Sequence, residues 1–166
     1  MNISTKYLGL TLKNPIIVGA SNLVTDIEML KKLEEAGAAA IVYKSLFEEQ
    51  IHLENLEMHQ NMTEYNERHA EMISLFPENA FEVGSEEFIH KFAEAKKALS
   101  IPLIASINAV YDESWQEYAQ KLEQAGADAI EINFYAVPLE FDVDGRGILN
   151  EELDVISAVK KSVSIP

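Results

Sequence analysis

One thirteen-residue phrase occurs twice in this sequence, as KLEEAGAAAIVYK at 32–44 and as KLEQAGADAIEIN at 121–133. Each copy reads as the end of an amphipathic helix, a Gly-Ala turn and a short apolar run suited to a buried strand. Gly37 and Gly126 supply the left-handed residue that ends a helix, and the alanines beside them let helix and strand approach closely. Such a phrase recurring after a helix marks a repeated strand–helix unit. The competing reading is that two helix-to-strand turns converged on the same chemistry. A second pair, KKALSIP at 96–102 and KKSVSIP at 160–166, follows the same logic. Pro102 opens an apolar run, so Pro166 is expected to stand where a fifth strand begins.

Residues 7–12 read as a short hairpin or lead-in before Lys13-Asn14-Pro15. Strands are expected at 15–21, 38–46, 102–108 and 128–135. The first helix is expected to start from a capping box, Thr25-x-x-Glu28, to bury Ile27, Leu30 and Leu33, and to stop at Gly37. A second helix is expected from a Ser85 cap to about Leu99. A third runs from a Ser114-x-x-Glu117 capping box to Gly126, and a fourth from about Asn150 to Val163. Residues 47–84 break the rhythm and read as an insertion above the strand ends, the glutamate-rich stretch 48–57 being a solvated face.

Strand–helix alternation implies an α/β fold with parallel strands, closed as a barrel or spread as a doubly wound sheet. All four strands end in polar residues: Ser21 and Asn22, Lys44, Ser106 and Asn108, and Asn133. In a (β/α) barrel that C-terminal rim carries the active site. The pattern therefore favours the N-terminal half of a (β/α)8 TIM barrel, about four β/α units in one partial domain over 1–166. Its first and fourth strands would be apolar edges, so self-association is expected unless further strands of a longer chain cover them.

The formal net charge of −15 argues against nucleic acid or an anionic membrane as partner, because both need clustered Lys and Arg. A small-molecule ligand held by a few local cations fits better. No apolar run is long enough to span a bilayer and no secretory leader is evident, which suggests a cytoplasmic protein. The absence of cysteine excludes disulfides, thiolate metal sites and a cysteine base. His52, His59, His69 and His90 match no compact ligand spacing, and Asp142-x-Asp144-Gly145 reads as a solvated turn, so no metal is expected.

Five segments in order carry a resemblance: YLGLTLKNP, the Ala-Ser after the first strand, YKS ending the second, ASIN on the third and EIN on the fourth. Together they are similar to the dihydroorotate dehydrogenase family, most closely its dihydroorotate dehydrogenase-like branch, over the first half of the family barrel. The resemblance implies an FMN-dependent oxidoreductase that oxidises dihydroorotate or a related cyclic substrate in pyrimidine biosynthesis. It implies flavin contacts from Ala20, Ser21, Lys44, Ser45 and Asn133, and substrate contacts from Lys44, Asn79, Asn108 and Asn133. Lys44 would stabilise the anionic reduced flavin. Ala136 stands where the family's Cys or Ser base is expected, and Tyr135 is the neighbouring group that could take a proton. The family's phosphate grip lies in its other half, so the chain alone is expected to bind FMN weakly or not at all. Two alternatives stay open: a non-catalytic half-barrel or assembly module, and an FMN barrel acting on a different dihydropyrimidine-like substrate.

Overall fold

The computed structural model describes residues 2–53, 56, 80–135 and 144–166. The chain opens on a hairpin of β1 (Thr5–Tyr7) and β2 (Leu10–Leu12). Its two-residue turn places both Leu8 (φ 52°) and Gly9 (φ 77°) in the left-handed region, the geometry that matches strand twist in tight hairpins. Then follow β3 (Ile17–Val18), α1 (Ile27–Glu35), β4 (Ala40–Val42) and β5 (Leu46–Phe47). The second half comprises α2 (Ala80–Ala98), β6 (Leu103–Asn108), α3 (Asp112–Gln124), β7 (Ala129–Ile132) and α4 (Gly145–Ser162). Among the described residues no helix is long and apolar enough to cross a membrane.

The strands β3, β4, β6 and β7 are parallel and neighbour one another in chain order. A doubly wound sheet reverses its strand order at a switch point. No reversal occurs here, so the winding is that of half a (β/α)8 barrel. The helices cover one face of this sheet, where Phe92, Trp115 and Leu122 pack against Ile41, Leu103 and Ile107. On the opposite face Ala40, Val42, Ile104 and Ala129 meet Leu12 of the hairpin. The hairpin thus floors the inner face of the sheet. Asn14 secures it, since its side-chain amide donates to Gly37 O at 2.8 Å while its carbonyl accepts from Ile16 N at 2.9 Å.

The repeated phrase folds twice in the same way. Gly37 N donates to Glu34 O and Ala38 N to Leu33 O, at 3.0 and 3.1 Å; Gly126 N donates to Glu123 O and Ala127 N to Leu122 O, at 2.9 and 3.0 Å. Gly37 and Gly126 have φ of 108° and 97°, as their helix-ending role requires. The second repeat is equally literal. Ile41 N donates to Pro102 O at 3.1 Å, and Ile130 N donates to Pro166 O at 2.9 Å. Pro166 therefore lies beside β7 as Pro102 lies beside β4.

Several expected boundaries move. The first strand is two residues long and only half-buried, because among the described residues it pairs on one side only, with β4. The first helix is capped by Asp26, which accepts from Met29 N at 2.9 Å; Thr25 instead donates to Asn22 O. The carboxylate one residue further along is the better acceptor for the first-turn amides. Ser85 lies buried inside α2, past the Ala80 start of the helix, and not at its N-cap. Ser114 lies in the first turn of α3, whose N-cap is Tyr111 with no side-chain bond of its own. The last helix begins at Gly145, capped by Asp144 through Gly147 N at 2.8 Å, several residues before Asn150.

The second strand also breaks. Ile41 and Val42 pair with Leu103 and Ile104, whereas Leu46 and Phe47 pair with Ile107 and Asn108. Between Val42 and Leu46 the chain takes one more residue than β6 takes opposite it. That is a β-bulge, a device common at barrel rims and beside functional sites.

Candidate functional site

Strand alternation puts Ile104, Ser106 and Asn108 on one face of β6, and Ala129, Glu131 and Asn133 on the matching face of the fourth strand. Asn133 N donates to Ile107 O at 2.9 Å, so the ladder continues one residue past β7. Directly above the apolar floor these residues meet in a polar layer. Ser45 Oγ lies 2.7 Å from Ser106 Oγ, and Ser106 Oγ donates to Glu131 Oε1 at 2.8 Å. Asn133 Nδ2 donates to Ser106 Oγ at 2.8 Å, with Ser45 Oγ and Glu131 Oε1 each at 3.4 Å. Ser106 has one proton and gives it to the carboxylate, so it accepts from both Ser45 and Asn133. The donors converge on one carboxylate in a partly buried setting, where charge-assisted bonds are stronger than in open water.

The bulge decides which residue of Lys44-Ser45 joins this layer. Tyr43 packs edge-on against Phe88 and Phe92 on the helix side, and Leu46 is buried in the same core. Ser45 takes the inner slot opposite Ser106, and Lys44 is the extra residue. Lys44 lines a cavity of about 390 Å3 with Ser45, Phe47, Gln50, Phe88 and Lys91. Lys91 is held by Glu87 at 2.6 Å. Lys44 makes no hydrogen bond or ion pair among the described residues.

The other residues implied by the resemblance are placed as follows. Ser21 caps the short 3-10 turn Asn22–Val24, accepting from Leu23 N at 3.4 Å, and is exposed like Ala20 beside it. Asn108 is 8% exposed, and its side chain has no hydrogen bond among the described residues. Tyr135 is 78% exposed. Asn79 and Ala136 lie outside the described residues. The structure thus brings Ser45, Ser106 and Asn133 together and adds Glu131. The sequence signal for Glu131 is its i, i+2 spacing to Asn133 in DAIEIN, which forces both onto one strand face.

The glutamate-rich stretch after the second strand is not uniformly solvated. Glu48 is 4% exposed, and its carboxylate accepts from Val110 N at 2.6 Å, Tyr111 N at 3.3 Å and Ser114 Oγ at 2.5 Å. Its place at the foot of the strand-three loop, facing the open N-terminus of α3, is what buries it. Nearby, burial first and the Glu48 charge second push the Tyr118 hydroxyl up to about 12.

No family model matches the chain. It is 29% identical over 168 residues to a dihydroorotate dehydrogenase B (NAD(+)) catalytic subunit from Thermoplasma volcanium, a match that covers 99% of this chain and 52% of that one. The subunit of the same name from Methanocella arvoryzae is 35% identical over 135 residues, covering 80% of this chain and 40% of its own length. A structure of a dihydrodipicolinate synthetase-type protein from Pseudomonas aeruginosa superposes with a TM-score of 0.48 at 15% identity, over 91% of this chain and 43% of that one. The chain is a relative of the dihydroorotate dehydrogenases, as its strand-end motifs imply, and spans about half the length of the curated relatives it matches.

Proposed function

We propose that the chain forms part of an FMN-dependent oxidoreductase of the dihydroorotate dehydrogenase type, acting in the cytoplasm on dihydroorotate or a related cyclic substrate in pyrimidine biosynthesis. The observation that carries this reading is the partly buried polar layer of Ser45, Ser106, Glu131 and Asn133 above an apolar floor, at the strand ends. Asn108, buried and without a side-chain partner among the described residues, supports it. An unpaired buried amide costs about 1–3 kcal/mol, which a bound ligand would remove. In this reading Ala20, Ser21, Lys44, Ser45 and Asn133 hold FMN, and Lys44, Asn79, Asn108 and Asn133 hold the substrate. Lys44 contributes a cation near the ring and the substrate's anionic group. FMN, when bound, would supply the hydride acceptor. Tyr135 remains the candidate proton acceptor, and alanine at 136 favours a cyclic substrate other than dihydroorotate itself.

The sequence alone allows weak binding or none, because the chain spans about half the length of its relatives; the polar layer at the strand ends narrows this to weak but saturable binding of FMN. Quenching of flavin fluorescence on titration measures this. Saturable quenching that weakens in Asn133→Ala and Ser106→Val supports the reading. A linear, unsaturable response shared by all three proteins would sink it.

A second reading, an assembly module, is favoured by one surface. Leu149, Leu153 and Ile156 form an exposed stripe along α4, 51%, 52% and 44% accessible, at the spacing of one helix face. Self-association through this stripe and the outer strands would appear in sedimentation as a dimer that Leu153→Glu dissociates.

A further inference from the structure

We infer that Glu48 is the positioning residue of the rim: its carboxylate locks the bulged strand against its neighbour and so holds Ser45 in the polar layer. The inference deepens the flavin-site reading and takes its functional meaning from it, but its geometry is independent. β5 pairs with β6 through only Leu46↔Ile107 and Phe47↔Asn108. Two pairs are a weak restraint on register, and a one-residue slip would exchange the faces of every side chain in the segment. Glu48 follows immediately and adds three hydrogen bonds to the same neighbouring unit, from Val110 N, Tyr111 N and Ser114 Oγ.

These donors need that acceptor. Helix α3 has no side-chain cap of its own, and the open N-terminus of a helix attracts an anion through its unpaired amides and dipole. Glu48 supplies the missing cap from 66 residues away in the chain, measured to Ser114. A slipped register would withdraw the carboxylate and leave these partly buried donors without their acceptor. The cap of one unit therefore fixes the register of another, three residues from Ser45.

The test is NMR on the full chain with Glu48→Ala and Glu48→Gln, and with Ser164→Ala as a control that removes a hydrogen bond elsewhere. In E48A, exchange of the Val110 and Tyr111 amides should accelerate roughly tenfold or more. The Asn133 side-chain amide resonances should also shift, because Ser45 leaves its place. E48Q, which keeps an acceptor, should restore the Asn133 resonances towards wild type, and it carries the test if E48A does not fold. S164A should leave them unmoved. Faster exchange at Val110 and Tyr111 with unshifted Asn133 resonances would overturn the inference and reduce Glu48 to a helix cap. FMN titration of the same proteins separates the two readings: Asn133 resonances that respond to E48A in a chain that binds no flavin would uphold positioning and remove the flavin assignment.

Discussion

The Glu34 carboxylate accepts from both the backbone amide of Ser100, at 3.1 Å, and its hydroxyl. The same clasp recurs one repeat later. Glu123 accepts from Ser164 N at 2.8 Å and Ser164 Oγ at 2.5 Å, and also from Ile165 N at 3.3 Å. The glutamate is the third residue of KLE and the serine is that of SIP, so the two repeated phrases are the two halves of one joint. The first joint ties the end of α1 to the turn before β6, and the second ties the end of α3 to the matching turn after α4.

The Glu123 joint should be pH-dependent. Hydrogen bonds from the Ser164 hydroxyl and amide hold the Glu123 carboxyl below its ordinary value of 4.5. As pH falls, the unfolded chain takes up this proton before the folded one does. The stabilisation is therefore fully present above the ordinary carboxylate range and is lost as pH falls through the lowered folded value. Urea midpoints of wild type and Glu123→Gln should differ at neutral pH and converge in acid. A difference that persists unchanged under acidic conditions would contradict this.

Asp128 is a second joint. Its Oδ2 accepts from Lys96 Nζ at 2.6 Å and from Leu103 N at 2.7 Å, linking the end of α2 to the start of β6. Asp128→Ala removes both partners' acceptor and should cost about 1–3 kcal/mol. Asp128→Asn can still accept from Leu103 N and should cost about 1 kcal/mol or less. Chemical denaturation of the two variants reads the ordering directly.

Ser106 is the hub of the polar layer. Ser106→Ala deletes the bonds to Ser45, Glu131 and Asn133 together, and should destabilise the chain by about 1–3 kcal/mol. Combined with Asn133→Ala, the loss should fall short of the sum of the single losses by about 0.5–2 kcal/mol, as expected for residues in one network. Additive losses would show that the two side chains act separately.

Leu8 offers a gain. Its φ of 52° is unfavourable for a branched apolar side chain, and it is 41% exposed. Asparagine tolerates this conformation well and suits the first position of such a turn. Leu8→Asn should raise stability by about 0.5–1 kcal/mol, visible as a higher thermal midpoint.

Local chemistry was the legible part of this sequence. Gly37 and Gly126 announce helix ends because a left-handed cap depends on the residue itself. The parallel units follow from apolar runs between such caps, and the barrel winding from polar strand ends. Helix starts were poorly legible at Thr25, Ser85 and Ser114, because a hydroxyl competes with whatever acceptor the fold brings near. At Ser114 that acceptor is Glu48, from a different unit. The polar layer was half legible. Ser106 and Asn133 end apolar strands visibly, and Glu131 is betrayed by its spacing, whereas the choice of Ser45 over Lys44 depends on a bulge that exists only against β6.

That bulge is a reading-frame shift in three dimensions. A regular strand through 40–47 would turn Lys44 and Leu46 inward and Ser45 outward. The single extra residue restores the frame, so Leu46 returns to the helix-side core and a serine occupies the inner slot. A chain lacking residue 44 would pair with β6 without interruption and still present Ser45 and Leu46 to the same faces. Chain length here is therefore free to vary by one without disturbing the core, and what varies with it is whether a lysine stands in the cavity beside Phe88 and Lys91.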